Sequence, residues 1–335
     1  MEPAVKVYRG RALEAVHYAS VAVVDKDGNL THYLGDPDVV FMTRSSIKPF
    51  QLIALVRSGG ADKFGFSPEQ LSIMCGSHAG TDKHREVVLS NLAKAGNSVE
   101  NLQCGTHRPI WMEVDNVYPQ GGEDKDPARH NCSGKHSGFL ALARFVGDPI
   151  EDYLKPDSKT QQLVREALVE YCEYDAQPLP CGVDGCSAPN YPLPLKNLAL
   201  GFKKLANGEG KDEKTRAAMK RIKEAMTVFP FMVSGEKRFD YDIKRSFPGN
   251  AVSKIGAEAI QGVGFSEPAM GIAVKVSDGN FRALEPIMIE VFKQLGILRD
   301  VAEKPFLKRY EHPEIRNQRD ILTGYIEVEF KLKKC

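Results

Sequence analysis

A serine and a lysine stand three positions apart at the head of an apolar run: FMTRSSIKPFQLIALV, residues 41–56, places Ser45 before Lys48. Residues at this spacing share one face of a helix. A serine hydroxyl is a weak nucleophile until a neighbouring base takes its proton. A lysine can be that base only when neutral, which needs its pKa lowered by burial or by nearby positive charge. The apolar run after Lys48 predicts the burial. The unpaired N–H groups of a first helical turn offer a place to hold an oxyanion. The competing reading is plain: Ser45 as an N-cap and Lys48 as a surface lysine with a buried stem. A second copy of the spacing, Ser234 to Lys237, sits in a Gly-containing charged segment and reads as a surface loop.

Other segments add to the first pair. Lys254-Ile255-Gly256 opens a strand-like stretch. It resembles the Lys-Thr-Gly strand that accompanies Ser-x-x-Lys in serine β-lactamases and penicillin-binding proteins. No clean Ser-Asp-Asn lies between the two. MCGSHAG, residues 74–80, sets Ser77 and His78 in a Gly-flanked turn, where backbone can approach a ligand closely or simply cap a helix.

ARHNCSGKHSG (128–138) and PCGVDGCSAPNY (180–191) are dense in metal-capable side chains. General zinc chemistry favours Cys132, His136 and Cys186 as ligands. Two tight turns with buried free thiols are the alternative.

These residues need elements to position them. HYASVAVVDKDGNLTHYLG predicts a hairpin turning at Lys-Asp-Gly-Asn, and DVVFMT a short strand that delivers the chain to Ser45. Helices are expected after Ser45, at SPEQLSIMCG and TDKHREVVLSNLAKAG, and at 135–146, 157–174, 196–207 and 212–227. Residues 104–134 read as a long loop-rich stretch, which is often functional. SKIGAEAIQGVGF and MGIAVKVSDGN read as extended, FRALEPIMIEVFKQLG as a helix, and YIEVEFKLKK as a half-exposed strand. Strands, a helical middle, then strands and a helix predict an α/β (α+β) fold. Its antiparallel sheet comes from both chain ends and is flanked by helices. The expectation is one catalytic domain, 1–335, with a helical, loop-rich subdomain at about 60–235.

The bulk properties exclude several classes. Lys+Arg total 45 and Asp+Glu 44, a net charge of +1, which marks no nucleic-acid or anionic-membrane surface. No run is long enough to span a bilayer, and the first residues lack the apolar core of a signal peptide. The seven cysteines are spread along the chain and argue for reduced thiols and a cytoplasmic protein rather than a disulfide framework. Cys335 receives no role.

Taken in order, RSSIKPFQ, CGSHAG, HNCSGKHSG, CGVDGCSAPNY and SKIGAEAIQGVG resemble the asparaginase family typified by the rhizobial L-asparaginase, across nearly the whole chain. The resemblance implies a fold similar to serine β-lactamases and glutaminases. It implies hydrolysis of L-asparagine to L-aspartate and ammonia. Two Ser–Lys tandems fall on Ser45 with Lys48 and on Ser77 with Lys254. The implied zinc ligands are Cys132, Lys135 and Cys186 with a water. Lys135 thus takes the place that general chemistry gave to His136, and His136 and Asp184 stay as flanking candidates. The zinc is expected to position substrate rather than hydrolyse it, and the protein to be a homodimer. Arg44, His78 and Asp184 are the candidate substrate contacts. In the expected mechanism Ser45, deprotonated by Lys48, attacks the side-chain carboxamide and forms a β-aspartyl ester. Ser77 and Lys254 relay protons. The rivals are a glutaminase or β-lactamase-like amidase, a zinc amidohydrolase whose metal activates water, and a zinc-stabilised scaffold without activity.

Overall fold

The computed structural model describes residues 1–174 and 179–335. Nine strands form one antiparallel sheet, drawn from both ends of the chain. The first end contributes β1 (Glu2–Arg9), β2 (Ala12–Val24) and β3 (Leu30–Leu34). The other contributes β4 (Ala251–Gly256), β5 (Ile260–Ser266), β6 (Ala269–Val276), β7 (Glu314–Arg316), β8 (Leu322–Val328) and β9 (Lys333–Lys334). The order is β7-β8-β1-β2-β6-β5-β4, with β3 on β2 and β9 on β3. β2 is long because it does two jobs. Its first half pairs with β1, its second half with β3 on the same edge, and its other edge with β6. The expected hairpin is β2–β3, closed by the Asp25 carboxylate accepting from the Asp27 and Asn29 N–H groups. The stretch read as one extended run at 253–265 is two strands. They turn at Glu258 and Ala259, both in the left-handed region.

Helices cover both faces, so the residues separate into two apolar cores. One face packs Val21, Val23, Val263, Phe265 and Ile272 against α8 (Phe281–Gln294), with Phe292 edge-on to Phe265. The other face meets α5 (Leu195–Asn207) and, beyond it, the helical middle: α1 (Lys48–Arg57), α2 (Pro68–Met74), α3 (Ser133–Val146), α4 (Lys159–Cys172) and α6 (Glu213–Val228). α5 lies on bare sheet. A Cβ at Gly262 would stand 2.0 Å from the Phe202 ring, and one at Gly264 2.0 Å from the Phe202 carbonyl oxygen. The glycines of IQGVG therefore let a helix approach closer than any side chain would permit. A short helix, α7 (Phe239–Ser246), joins the helical middle to β4. The start of α7 and the turn before α1 both line the site's cleft.

Candidate active site

Ser45 does not begin the α-helix. It sits in a 3-10 turn, Arg44–Ile47, that runs directly into α1 at Lys48. Arg44 takes φ +49, a conformation that costs a non-glycine residue energy and persists where the surroundings impose it. Asn190 is what imposes it. Its carboxamide accepts from the Arg44 N–H and donates to the Arg44 carbonyl, both at 3.0 Å. Thr43, beside it, donates to the Tyr191 carbonyl at 2.7 Å. The Ser45 hydroxyl makes no hydrogen bond among the described residues and caps no N–H group; its half-buried side chain lines a cleft of about 430 Å³.

Lys48 is buried, as the apolar run predicted. Its amine donates to the Gly76 carbonyl at 2.7 Å, to the Ser77 hydroxyl at 2.9 Å and to Cys132 Sγ at 3.1 Å. Ser77 follows α2 in the Gly-flanked turn, its N–H bound to the Val233 carbonyl at 2.8 Å, and it lines the same cleft. The lysine is thus aimed across at Ser77, with Ser45 one helical turn before it.

Lys254, on β4, is fully buried and makes no bond to Ser77. Its amine donates to its neighbour's carbonyl, Ile255 O, at 2.5 Å and approaches Asp240 Oδ2 at 3.4 Å. Burial pushes Lys254 down to about 7, Asp240 opposes, and the charges of Lys48, Arg238 and Lys244 add to the fall. Asp240 went unnoticed in the sequence, yet it is the anchor of this corner. It accepts from Ser253 Oγ, Gln261 Nε2 and the Ile255 N–H, each at 2.9 Å. Burial alone would raise its carboxyl, but Lys254 and Lys244 hold it well below the usual range. The available signal was Lys244 four residues along one helix face.

Arg44, His78 and Asp184 do not line the cleft. Arg44 and Asp184 are committed to each other at 2.9 Å. His78 is wholly buried, bonded through Nε2 to Ser133 Oγ at 3.0 Å and stacked on His84. Burial, with His84 and Lys48 adding, holds its pKa well below the ordinary value, so it stays neutral. Conversely, Ser234 and Lys237, read as a surface loop, sit in the cleft wall, and Ser234 is buried. Arg238, beside them, faces the cleft too.

Cys132, Lys135 and Cys186 come together behind Lys48. Cys132 immediately precedes α3, Lys135 lies in its first turn, and Cys186 comes from the 180–191 loop. Lys135 Nζ is 3.0 Å from Cys186 Sγ. The neighbouring Cys132 thiol, with the charge of Lys135, holds the Cys186 thiol below its ordinary value despite burial. His136 Nε2 is buried without a hydrogen-bond partner beside the same thiol. Among the described residues no three His, Cys, Asp or Glu side chains form a metal cage. The two sulfurs suit a soft, borderline cation such as zinc, and the amine would join them only after giving up its proton.

A serine bonded to a buried lysine lies at the junction of a two-ended antiparallel sheet and a helical middle. The chain belongs to the L-asparaginase II family, whose profile matches residues 5–328. No curated protein matches it. Among solved structures it is similar to an octameric penicillin-binding protein homologue from Pyrococcus abyssi: 13% identity, 87% of this chain and 76% of that one, TM-score 0.46. A β-lactamase from Mycobacterium bovis is 13% identical over 82% of this chain and 94% of its own, with TM-score 0.42. A D-alanine carboxypeptidase from Burkholderia cenocepacia is 13% identical over 84% and 93%, with TM-score 0.41.

Proposed function

We propose that this amidohydrolase converts L-asparagine to L-aspartate and ammonia through a serine ester. The observation that carries the reading is the Lys48 amine 2.9 Å from the Ser77 hydroxyl, in the wall of a cleft that Ser45 shares. Ser45, whose hydroxyl is unengaged, attacks the side-chain carboxamide carbon. Its proton passes to Ser77 as Ser77 gives its own to neutral Lys48. Backbone N–H groups around Ser45 hold the tetrahedral oxyanion. The proton returns along the same path to the leaving nitrogen, the C–N bond breaks, and ammonia departs. A β-aspartyl ester remains on Ser45. Water then cleaves that ester, its proton following the same route. Lys254, held by Asp240, places a second amine behind the relay. A second reading, favoured by the direct Lys48 bond, has Ser77 itself attack.

Cys132, Lys135 and Cys186 are the residues we assign to a zinc ion. Bound there, it would supply a positive charge that helps to orient substrate. A homodimer and a cytoplasmic setting go with the family resemblance; sedimentation of the purified protein tests the first. Among the described residues no helix is long and apolar enough to cross a membrane.

The test is ammonia release from L-asparagine, L-glutamine and a chromogenic β-lactam by the wild type, Ser45→Ala and Ser77→Ala, each with and without chelator. Acid-quenched peptide mapping locates the ester. Preference for asparagine, loss of turnover in both variants, and an ester on Ser45 support the first reading; an ester on Ser77 supports the second. Full activity in both variants with loss on chelation would move the chemistry to the metal. No turnover of any amide would leave a scaffold without activity.

A further inference from the structure

The cleft contains a guanidinium and a carboxylate that the hydrolysis just described does not use. Arg238 Nη1 donates to the Ser77 carbonyl at 2.5 Å and to the Ser234 carbonyl at 3.2 Å. One corner of the fork is therefore seated on the backbone of the residue that holds the relay hydroxyl. Nη2 and Nε make no hydrogen bond among the described residues, and they are not among its sealed, unpaired polar atoms. They face the cleft with a free edge. A free guanidinium edge is the shape that a carboxylate fills with two parallel hydrogen bonds.

Glu285, on α8, lines the same cleft. It is half-buried and has neither an ion pair nor a hydrogen bond among the described residues. Arg309, whose charge also reaches Glu285, is taken: it donates to Asp242 at 2.5 Å, and Tyr310 donates to the same oxygen at 2.7 Å. An unpaired carboxylate so placed is costly unless a ligand supplies the missing cation. The other charged groups on the cleft are already engaged or peripheral. Lys237 is exposed and paired with Asp115 at 2.7 Å, Asp240 is saturated, and Glu113 is exposed.

We infer that Arg238 and Glu285 form a reader for the zwitterionic head of an α-amino acid, Arg238 binding the α-carboxylate and Glu285 the α-ammonium. The inference rests on the amidohydrolase reading and makes its substrate selection explicit. Seating the carboxylate on Arg238, itself fixed to the Ser77 carbonyl, brings a side-chain carboxamide two carbons away into reach of the serines. The pair would also explain a preference for free amino acids over peptides, whose α-groups are blocked.

Three substrates separate the two contacts: L-asparagine, succinamate, which lacks the ammonium, and 3-aminopropanamide, which lacks the carboxylate. Arg238→Gln should lower kcat/KM on asparagine and on succinamate by about tenfold or more, the loss expected for a hydrogen bond to a charged group. 3-Aminopropanamide should lose less, only what the missing bond to the Ser77 carbonyl costs. Glu285→Gln should lower asparagine and 3-aminopropanamide by a similar factor and leave succinamate unchanged. Equal losses on all three substrates in folded variants would overturn the reader. Should Arg238→Gln not fold, Arg238→Lys and Glu285→Gln carry the same comparison. If the wild type hydrolyses no amide, the hydrolase reading fails on its own. L-Aspartate titrated calorimetrically into wild type and Glu285→Gln then decides the reader: weaker binding in the variant supports it, and equal or absent binding ends it.

Discussion

At the scale of single residues, Lys254, buried behind the cleft, and Glu285, on its wall, change charge near neutrality, and both changes run the same way. Lys254 is pushed to about 7 by burial and loses its proton as pH rises through that value. Glu285 is raised to about 7 by burial, with Asp242 adding and Arg309 and Arg238 opposing, and gains its charge over the same interval. Below this interval Lys254 is cationic and Glu285 cannot pair with an ammonium. We therefore expect kcat/KM on L-asparagine to rise with pH through about 7, measured by initial rates across a pH series. Glu285→Gln should remove the part of that rise carried by KM and keep the part carried by kcat; an unchanged profile in the variant would count against Glu285. Lys254 also bears on stability. Its ordinary value is 10.5 and its folded value about 7, so between them the unfolded chain binds more protons than the native one. Stability from this group accordingly rises with pH across that window. Asp240→Asn removes the carboxylate that accepts from four donors and leaves Lys254 and Lys244 uncompensated. A loss of about 3 kcal/mol or more is expected, read as a lower denaturant midpoint. An undiminished midpoint would show that the anchor is dispensable.

At the scale of elements, the sequence reading was accurate where the signal is local. The helices at 157–174, 196–207 and 212–227 are found at Lys159–Cys172, Leu195–Asn207 and Glu213–Val228. Caps and apolar periodicity mark such ends within the segment itself. What escaped depends on partners far along the chain. β1 went unassigned because EPAVKVYR carries a proline at its second position, and its neighbour on one side is β8, with Val5 facing Val328 and Val7 facing Ile326. The role of Asn190 in holding Arg44 at positive φ is equally invisible, since it joins two loops 146 positions apart. In RFDYDIKRS both aspartates are buried; Lys244 four residues on marks Asp240, but its partners Ser253, Ile255 and Gln261 lie farther along the chain. IQGVG was legible only as extended chain, although its glycines decide how closely α5 rests on the sheet. Gly264→Ala tests this. Its Cβ would meet the Phe202 carbonyl at 2.0 Å, and helix backbone cannot step aside as a side-chain tip can. A destabilisation of about 1–3 kcal/mol is expected from such overpacking, measured by chemical denaturation; a neutral result would mean that α5 lifts freely.

At the scale of the molecule, the cleft is where the two chain ends meet the helical middle. Ser45 and Lys48 arrive from the first strands, Ser77 and Cys132 from the helical middle, and Lys254 from the returning sheet. Few bonds hold these parts in register: Lys48 to Ser77 and Cys132, Arg238 to the Ser77 carbonyl, Asp240 to β4. The Cys132–Lys135–Cys186 corner is a further clasp, tying α3 to the 180–191 loop whose Asn190 holds the Ser45 turn. A metal bound there would stabilise the native chain by mass action, by about 2.7 kcal/mol when free zinc is a hundredfold above its dissociation constant. We therefore expect protein stripped by chelation to melt earlier than protein resupplied with zinc. Cys132→Ser, Cys186→Ser and Lys135→Ala should each abolish that difference and lower the zinc content of the purified protein. Because the proposed nucleophile and relay are serines and a lysine, stripping should raise KM on L-asparagine more than it lowers kcat. A melting temperature indifferent to zinc in the wild type would mean that the Lys135–thiolate pair closes the clasp without metal. Loss of kcat alone on stripping would instead draw the ion into the hydrolytic step.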